Sequence, residues 1–157
     1  MPTAQDFVIK TLGECRFESP LPRGKRLFVT DDRRVLLKDE LGAGDSVNEE
    51  LSLQRAGPRR RIFFDPQSTT VAIVTCGGLS PGLNNVIRSV YYDLAHNYKV
   101  QRVLGIRDGY RGLNPAEGRP PIELDARAVH DIHNLGGTML GSSRGGQDPA
   151  VMVDYLE

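Results

Sequence analysis

Apolar and polar positions alternate most informatively between residues 71 and 94, which read V-A-I-V-T-C-G-G-L-S-P-G-L-N-N-V-I-R-S-V-Y-Y-D-L. Val71 to Thr75 form a short, β-branched run of the kind that makes a buried strand. Gly77-Gly78 end the run, and Pro81-Gly82 add further punctuation. Leu83, Val86, Ile87, Val90, Tyr91 and Leu94 then recur at i, i+3, i+4, i+7, i+8 and i+11, one face of a helix over three turns. Strand, glycine elbow and amphipathic helix together predict an anion site. Glycines admit a ligand close to the backbone, and the helix N-terminus offers N–H groups and a favourable dipole. Phosphate is the expected guest.

Residues 100–107 (V-Q-R-V-L-G-I-R) read as a second strand, with Asn97 and Lys99 in the connection before it. Strand, helix and strand at this spacing predict a right-handed parallel βαβ unit. Asp108-Gly109-Tyr110-Arg111-Gly112-Leu113 then form a loop at the C-terminal edge of the second strand, where open parallel sheets bind ligands. Pro120-Pro121 close a surface loop. Asp125 is a predicted N-cap for a short helix carrying Ala128, Val129, Ile132 and Leu135, stopped at Gly136-Gly137. Thr138-Met139-Leu140-Gly141-Ser142-Ser143 are expected as a third short strand or extended segment, delivering the loop Arg144-Gly145-Gly146-Gln147. Asp148-Pro149 supply an N-cap and a first-turn proline for a last helix.

The first 68 residues are patterned more weakly. Residues 7–12, 25–30 and 34–37 are candidate strands, punctuated by Gly13, Pro20, Pro22, Gly24 and Asp31-Asp32. Gly42-Ala43-Gly44-Asp45 and the polar residues to Glu50 read as a surface loop. Arg55-Ala56-Gly57-Pro58-Arg59-Arg60-Arg61 form a basic turn, either a solvated charge run or a counter-charge for a phosphate or an acidic surface. We therefore divide the chain into a small β-rich or irregular extension, residues 1–68, packing onto an α/β body, residues 69–157.

With 157 residues the chain is long enough for one domain with a real core. Twenty basic side chains balance twenty acidic ones, so no net field draws it to nucleic acid or a membrane. No apolar run is long enough to span a bilayer, and residues 1–6 lack the features of a signal peptide. Cys15 and Cys76 are the only cysteines, without metal-ligand spacing, and a cytoplasmic location with reduced thiols is expected. Cys76 beside the glycine elbow reads as a small buried side chain, with a reactive thiol as the alternative. His130 and His133 share a helical face without further ligands and read as surface histidines.

Three loops thus lie at predicted strand ends: Gly77-Gly78, Asp108-Gly109-Tyr110 and Arg144-Gly145-Gly146. Parallel neighbouring strands would bring them to one crevice. Arg144 is a candidate fork for a phosphate held by the Gly77 loop, since arginine–phosphate contacts are charge-assisted and bidentate. Phosphoryl transfer depends chiefly on such positioning and charge neutralisation. Tyr110 is a candidate aromatic face for a nucleotide base, with a half-buried packing tyrosine as the alternative. The fingerprints G-x-G-x-x-G and G-x-x-x-x-G-K-[ST] are both absent. The first absence, with Arg107 rather than an acidic residue ending the second strand, argues against a dinucleotide-cofactor domain.

The strings R-A-G-P-R (55–59), T-C-G-G-L-S-P-G-L-N-N-V-I-R (75–88), G-I-R-D-G-Y-R-G-L (105–113) and G-G-T-M-L-G-S-S-R-G-G-Q-D (136–148) resemble, in order, landmarks of the 6-phosphofructokinase family. The plant and trypanosomatid branch is the most similar. The resemblance implies an incomplete doubly wound, Rossmann-like parallel sheet of the phosphofructokinase type. It implies magnesium-dependent phosphoryl transfer to fructose 6-phosphate, a glycolytic step, in an enzyme that is a homo-oligomer when complete. ATP is the expected donor and pyrophosphate the alternative. Gly77, Gly78, Tyr110, Arg144 and Gly145 are the implied donor-binding residues. Bacterial relatives pair the arginine matching Arg88 with a second one a turn later, for an effector. This chain has Tyr92 there.

Two family landmarks do not occur: the G-G-D-G or G-G-D-D loop whose aspartate holds magnesium, and the T-x-D-x-D segment whose aspartate activates the sugar hydroxyl. Thr30-Asp31-Asp32 echo the second only superficially. The chain is therefore expected to be an N-terminal part of such an enzyme, with no catalytic base and no metal ligand of its own. A separate nucleotide-binding or regulatory module is the non-catalytic alternative. A partial sheet would also leave an open apolar edge and face.

Overall fold

The computed structural model describes residues 3–22, 28–78 and 80–157. The chain divides into two compact units, Met1–Asp65 and Pro66–Glu157.

The first unit holds two small antiparallel ladders. Strand β1 (Phe17–Glu18) pairs with β4 (Arg61–Ile62), and β2 (Arg34–Leu36) pairs with β3 (Ser52–Gln54). Strand β2 matches the expected strand at 34–37. The strand expected at 7–12 does not form, because the chain makes a 3₁₀ turn over Ala4–Phe7 and then runs on without a ladder partner. Val8, Ile9 and Leu12 are correspondingly exposed. Of the candidate strand at 25–30, residues 25–27 lie outside the described residues and 28–30 are irregular. Polar side chains hold much of this unit. Arg34 Nε donates to Ser52 Oγ at 3.0 Å, and Ser52 is 1% exposed. In the basic turn, Arg59 pairs with Asp31 at 2.8 Å and donates to the carbonyls of Gly57 and Arg55. Arg59 thus braces its own turn, with Asp31 as its ion-pair partner. The stretch 42–50 is an exposed loop, as expected.

The second unit contains the apolar core. Strand β5 (Thr70–Val74) leads through the glycine elbow into helix α1 (Leu83–Tyr92), which runs on as a π-helical turn, Asp93–Asn97. Lys99, in a left-handed conformation at φ 61°, turns the chain into β6 (Arg102–Ile106). Strands β5 and β6 are parallel, in register from Thr70 opposite Arg102 to Val74 opposite Ile106. The βαβ unit read from the sequence is therefore present. One face of the pair takes Ile87 and Tyr91 of α1 together with Val103, Leu124, Val129, Ile132 and Leu140. Gly105 is the close-approach point of that face, since a Cβ there would run into the buried Leu140 side chain.

One element of this unit is additional to those predicted, and two predicted ones differ. Strand β7 (Ile122–Glu123) pairs antiparallel with β6, through Leu104 opposite Glu123 and Gly105 opposite Ile122. The sequence reading placed no strand there, because two residues beside two prolines carry no periodicity. The helix expected from Asp125 breaks into a single turn over 126–129 and a 3₁₀ turn, Ile132–Asn134. Asp125 still caps, accepting from Ala128 N–H at 2.6 Å. Residues 138–143 form no strand; Thr138 to Gly141 make a turn, with Gly141 at φ 74°. The last helix, α2 (Pro149–Leu156), is capped by Asp148, which accepts from Ala150 N–H at 2.9 Å.

The second sheet face, with Ala72, Leu104 and Ile106, meets Tyr155 and Leu156 of α2 across an open cleft. Val74, Val153 and Leu156 remain exposed. No helix among the described residues is long and apolar enough to cross a membrane.

Candidate functional site

The parallel register sends the chain out of β5 and β6 at the same sheet edge, so the loops after Val74 and Ile106 emerge side by side. The third loop reaches them without a strand of its own. Thr75, 8% exposed, donates its hydroxyl to Gly141 O at 2.7 Å and lies 3.0 Å from Thr138 Oγ1. Gly77 N–H donates to Ser143 O at 3.1 Å, and Ser142 Oγ donates back to Gly77 O at 2.8 Å. Asp108 N–H donates to Leu140 O at 2.8 Å. Side-chain and backbone hydrogen bonds here replace the ladder expected for residues 138–143.

Gly77 stands at φ 96°, which only glycine adopts without strain, and a Cβ there would meet nothing within 4 Å. Gly78, Gly145 and Gly146 likewise face open space. Arg144 is exposed between the hydrogen-bonded Ser143 and this open glycine pair. Tyr110 is 42% exposed on the 3₁₀ turn Gly109–Leu113, beside which α2 packs. Its predecessor Gly109 touches the third loop, since a Cβ there would come within 2.6 Å of Ser143 Oγ and 3.2 Å of Cys76 Sγ. Asn114 Nδ2 donates to Gln147 Oε1 at 2.9 Å, a second tie between these loops. The loops bearing Gly77, Gly78, Tyr110, Arg144 and Gly145 are therefore joined to one another. Cys76 is exposed rather than buried, with its Sγ 3.3 Å from Ser143 O.

The N-terminus of α1 is less open than its sequence suggests. Leu83 N–H reaches Ser80 O and Asn84 N–H donates to Gly137 O at 3.0 Å, so part of the first turn is satisfied within the chain. Asn84, 2% exposed, is a residue that hydrophobic patterning missed. Its Nδ2 donates to Leu135 O at 2.9 Å and its Oδ1 accepts from Met139 N–H at 2.7 Å, fastening the helix to the 135–139 segment. Arg88 lies over the Tyr92 ring at 4.7 Å and its Nε donates to His130 O. His130 and His133 are both exposed.

Arg119 is the other residue that sequence reasoning passed over. Its Nε and Nη2 donate to the two carboxylate oxygens of Asp108, each at 2.7 Å. The Arg119 hydrogen bonds, and then the charges of Arg119, Arg111 and Arg107, hold the Asp108 carboxyl below the usual range against the opposing effect of burial. Arg119 follows Asp108 by eleven residues in an irregular loop, a separation that no periodicity marks. Among the described residues, no three His, Cys, Asp or Glu side chains group to hold a metal ion.

Residues 70–154 match the family model described as Phosphofructokinase. The ATP-dependent 6-phosphofructokinase of Amycolatopsis methanolica is 47% identical over 96% of this chain and 35% of its own length. The ATP-dependent 6-phosphofructokinase of Trypanosoma cruzi is 51% identical over 99% of this chain and 33% of its own length. ATP-dependent 6-phosphofructokinase 1 of Arabidopsis thaliana is 49% identical over 85% of this chain and 27% of its own length. The chain thus spans about a third of the length of the curated relatives it matches. The plant and trypanosomatid likeness read from the four motifs is present among them. By the matched model, which spans more than half of the chain, the chain belongs to the phosphofructokinase family.

Proposed function

We propose that this chain supplies the phosphoryl-donor side of a 6-phosphofructokinase. The complete enzyme would transfer a phosphoryl group from ATP to the 1-hydroxyl of fructose 6-phosphate, giving fructose 1,6-bisphosphate. It would work in the cytoplasm, as a homo-oligomer and with magnesium. The observation that carries the donor reading is the joining of three loops. Thr75, Gly77 and Asp108 are hydrogen-bonded to the 140–143 segment, while Gly77, Gly78 and Gly145 leave open space above the backbone. In this reading the Gly77-Gly78 loop and the Arg144-Gly145 pair hold the donor phosphates, and the Tyr110 ring takes the base. ATP is the preferred donor because the relatives matched over most of this chain are named as ATP-dependent.

Among the described residues no three His, Cys, Asp or Glu side chains group to hold a metal ion, and the G-G-D-G or G-G-D-D loop that would supply the magnesium ligand does not occur in the sequence. Nor does the sequence contain the T-x-D-x-D segment that would activate the sugar hydroxyl. The part played by this chain's own residues is to bind and orient the donor.

Calorimetric titration with ATP and with pyrophosphate tests this directly. Gly78→Val is the cleanest variant, because Gly78 does not need a positive φ and its added side chain would enter the open space. It should weaken both ligands about tenfold or more. Arg144→Ala should do the same, by roughly the worth of a charge-assisted contact, about 1.5–3 kcal/mol. Unchanged affinity in both variants would remove these residues from the site.

A further inference from the structure

The Asp108–Arg119 pair stands at the junction of the second and third loops, and the donor reading uses only the Asp108 N–H, not its carboxylate or Arg119. Asp108 is one of two non-glycine residues at positive φ among those described, at φ 63° and ψ 36°. It occupies the N-cap position of the 3₁₀ turn that bears Tyr110. An aspartate there ordinarily turns its carboxylate onto the N–H groups of the turn. Here it makes no such cap, and both oxygens are taken by the Arg119 fork. The left-handed backbone is instead held from outside, by the hydrogen bond of Asp108 N–H to Leu140 O and by the fork. Gly141 makes room for this arrangement, since a Cβ there would fall 2.8 Å from Asp108 Oδ1. The next residue, Gly109, lies against Ser143 and Cys76, and Tyr110 follows. The Arg119 end of the loop also closes tightly: a Cβ on Gly118 would fall 2.8 Å from Gly112 Cα.

We propose that Arg119 is a positioning residue for the donor site: by clamping Asp108 it fixes the turn that presents Tyr110, and so favours a nucleoside triphosphate over bare pyrophosphate. The proposal rests on the donor reading above, and it concerns the base side of that site. On the phosphate side, Gly77 is held by its own hydrogen bonds to Ser142 and Ser143, the two residues before Arg144. Arg119 is largely exposed, with 59% of its side chain accessible, so an ion pair of this kind adds little to global stability. Its effect is local, on backbone geometry.

The test compares ATP and pyrophosphate binding to the 157-residue chain and to Arg119→Leu, with thermal melting as the check on folding. Loss of the clamp should weaken ATP about tenfold, the scale of a lost base stack, and leave pyrophosphate within about twofold. Tyr110→Ala should reproduce that split. Arg119→Lys should restore ATP binding only in part, because lysine keeps the charge without the fork; if Arg119→Leu does not fold, this variant carries the comparison, with a smaller ATP-selective loss expected. Equal loss of both ligands would make Arg119 a general structural support and overturn the proposal, as would no loss of either. Failure of the unaltered chain to bind either ligand would overturn the donor reading itself, and the clamp with it.

Discussion

Asp108 shows how much a single residue can settle when its backbone and side chain are held by different partners. Its N–H fixes the end of β6 to Leu140, while its carboxylate reaches Arg119. Because the arginine favours the charged carboxylate, the folded-state pKa is depressed. The pair therefore contributes in full above the ordinary aspartate value of about 3.9, and the contribution is lost as pH falls through the depressed folded value. Carbon-detected NMR titration should find Asp108 titrating below the usual carboxylate range. In Arg119→Leu its midpoint should move upward, toward that range. A midpoint that stays put in the variant would mean that the fork does not govern this carboxylate.

At the scale of elements, the legible parts were those with a period or a cap. β5, the glycine elbow, α1 and β6 followed from apolar spacing, and α2 from Asp148-Pro149. What escaped was held by contacts distant in sequence. β7 has two residues, and its pairing with β6 is visible only when the strands are side by side. The 138–143 segment reads from the sequence as a short strand or extended segment. In the structure Leu140 is spent filling the space over Gly105, while the backbone serves the two neighbouring loops. Asn84 lies outside the apolar spacing that marks α1, and it is a buried bridge. Asn84→Ala would leave Leu135 O and Met139 N–H without their partner, at a cost of about 1–3 kcal/mol. A denaturant midpoint close to that of the unaltered chain would contradict this role. The candidate site was legible as three glycine-bearing loops, but the bonds that join them were not, because Thr75, Ser142 and Ser143 have no pattern of their own.

Across the whole molecule, the apolar core lies in one unit. Every buried hydrophobic side chain among the described residues falls between Ile87 and Leu140, while the first unit relies on short ladders and polar braces. The second unit has one well-covered sheet face and one open to a cleft beneath α2. A donor site needs only the covered part, because all three loops spring from the edge that β5, β6 and the Leu140 turn define. Turnover would need more, a base for the sugar hydroxyl and ligands for a metal, and among the described residues no three His, Cys, Asp or Glu side chains group to hold a metal ion. The most direct measurement is a coupled assay for fructose 1,6-bisphosphate formation by the 157-residue chain, with magnesium and either ATP or pyrophosphate, run beside calorimetric titration of the same donors. Donor binding without turnover is the predicted result. Robust turnover with either donor would contradict the account, which gives this chain donor-binding residues and no catalytic base.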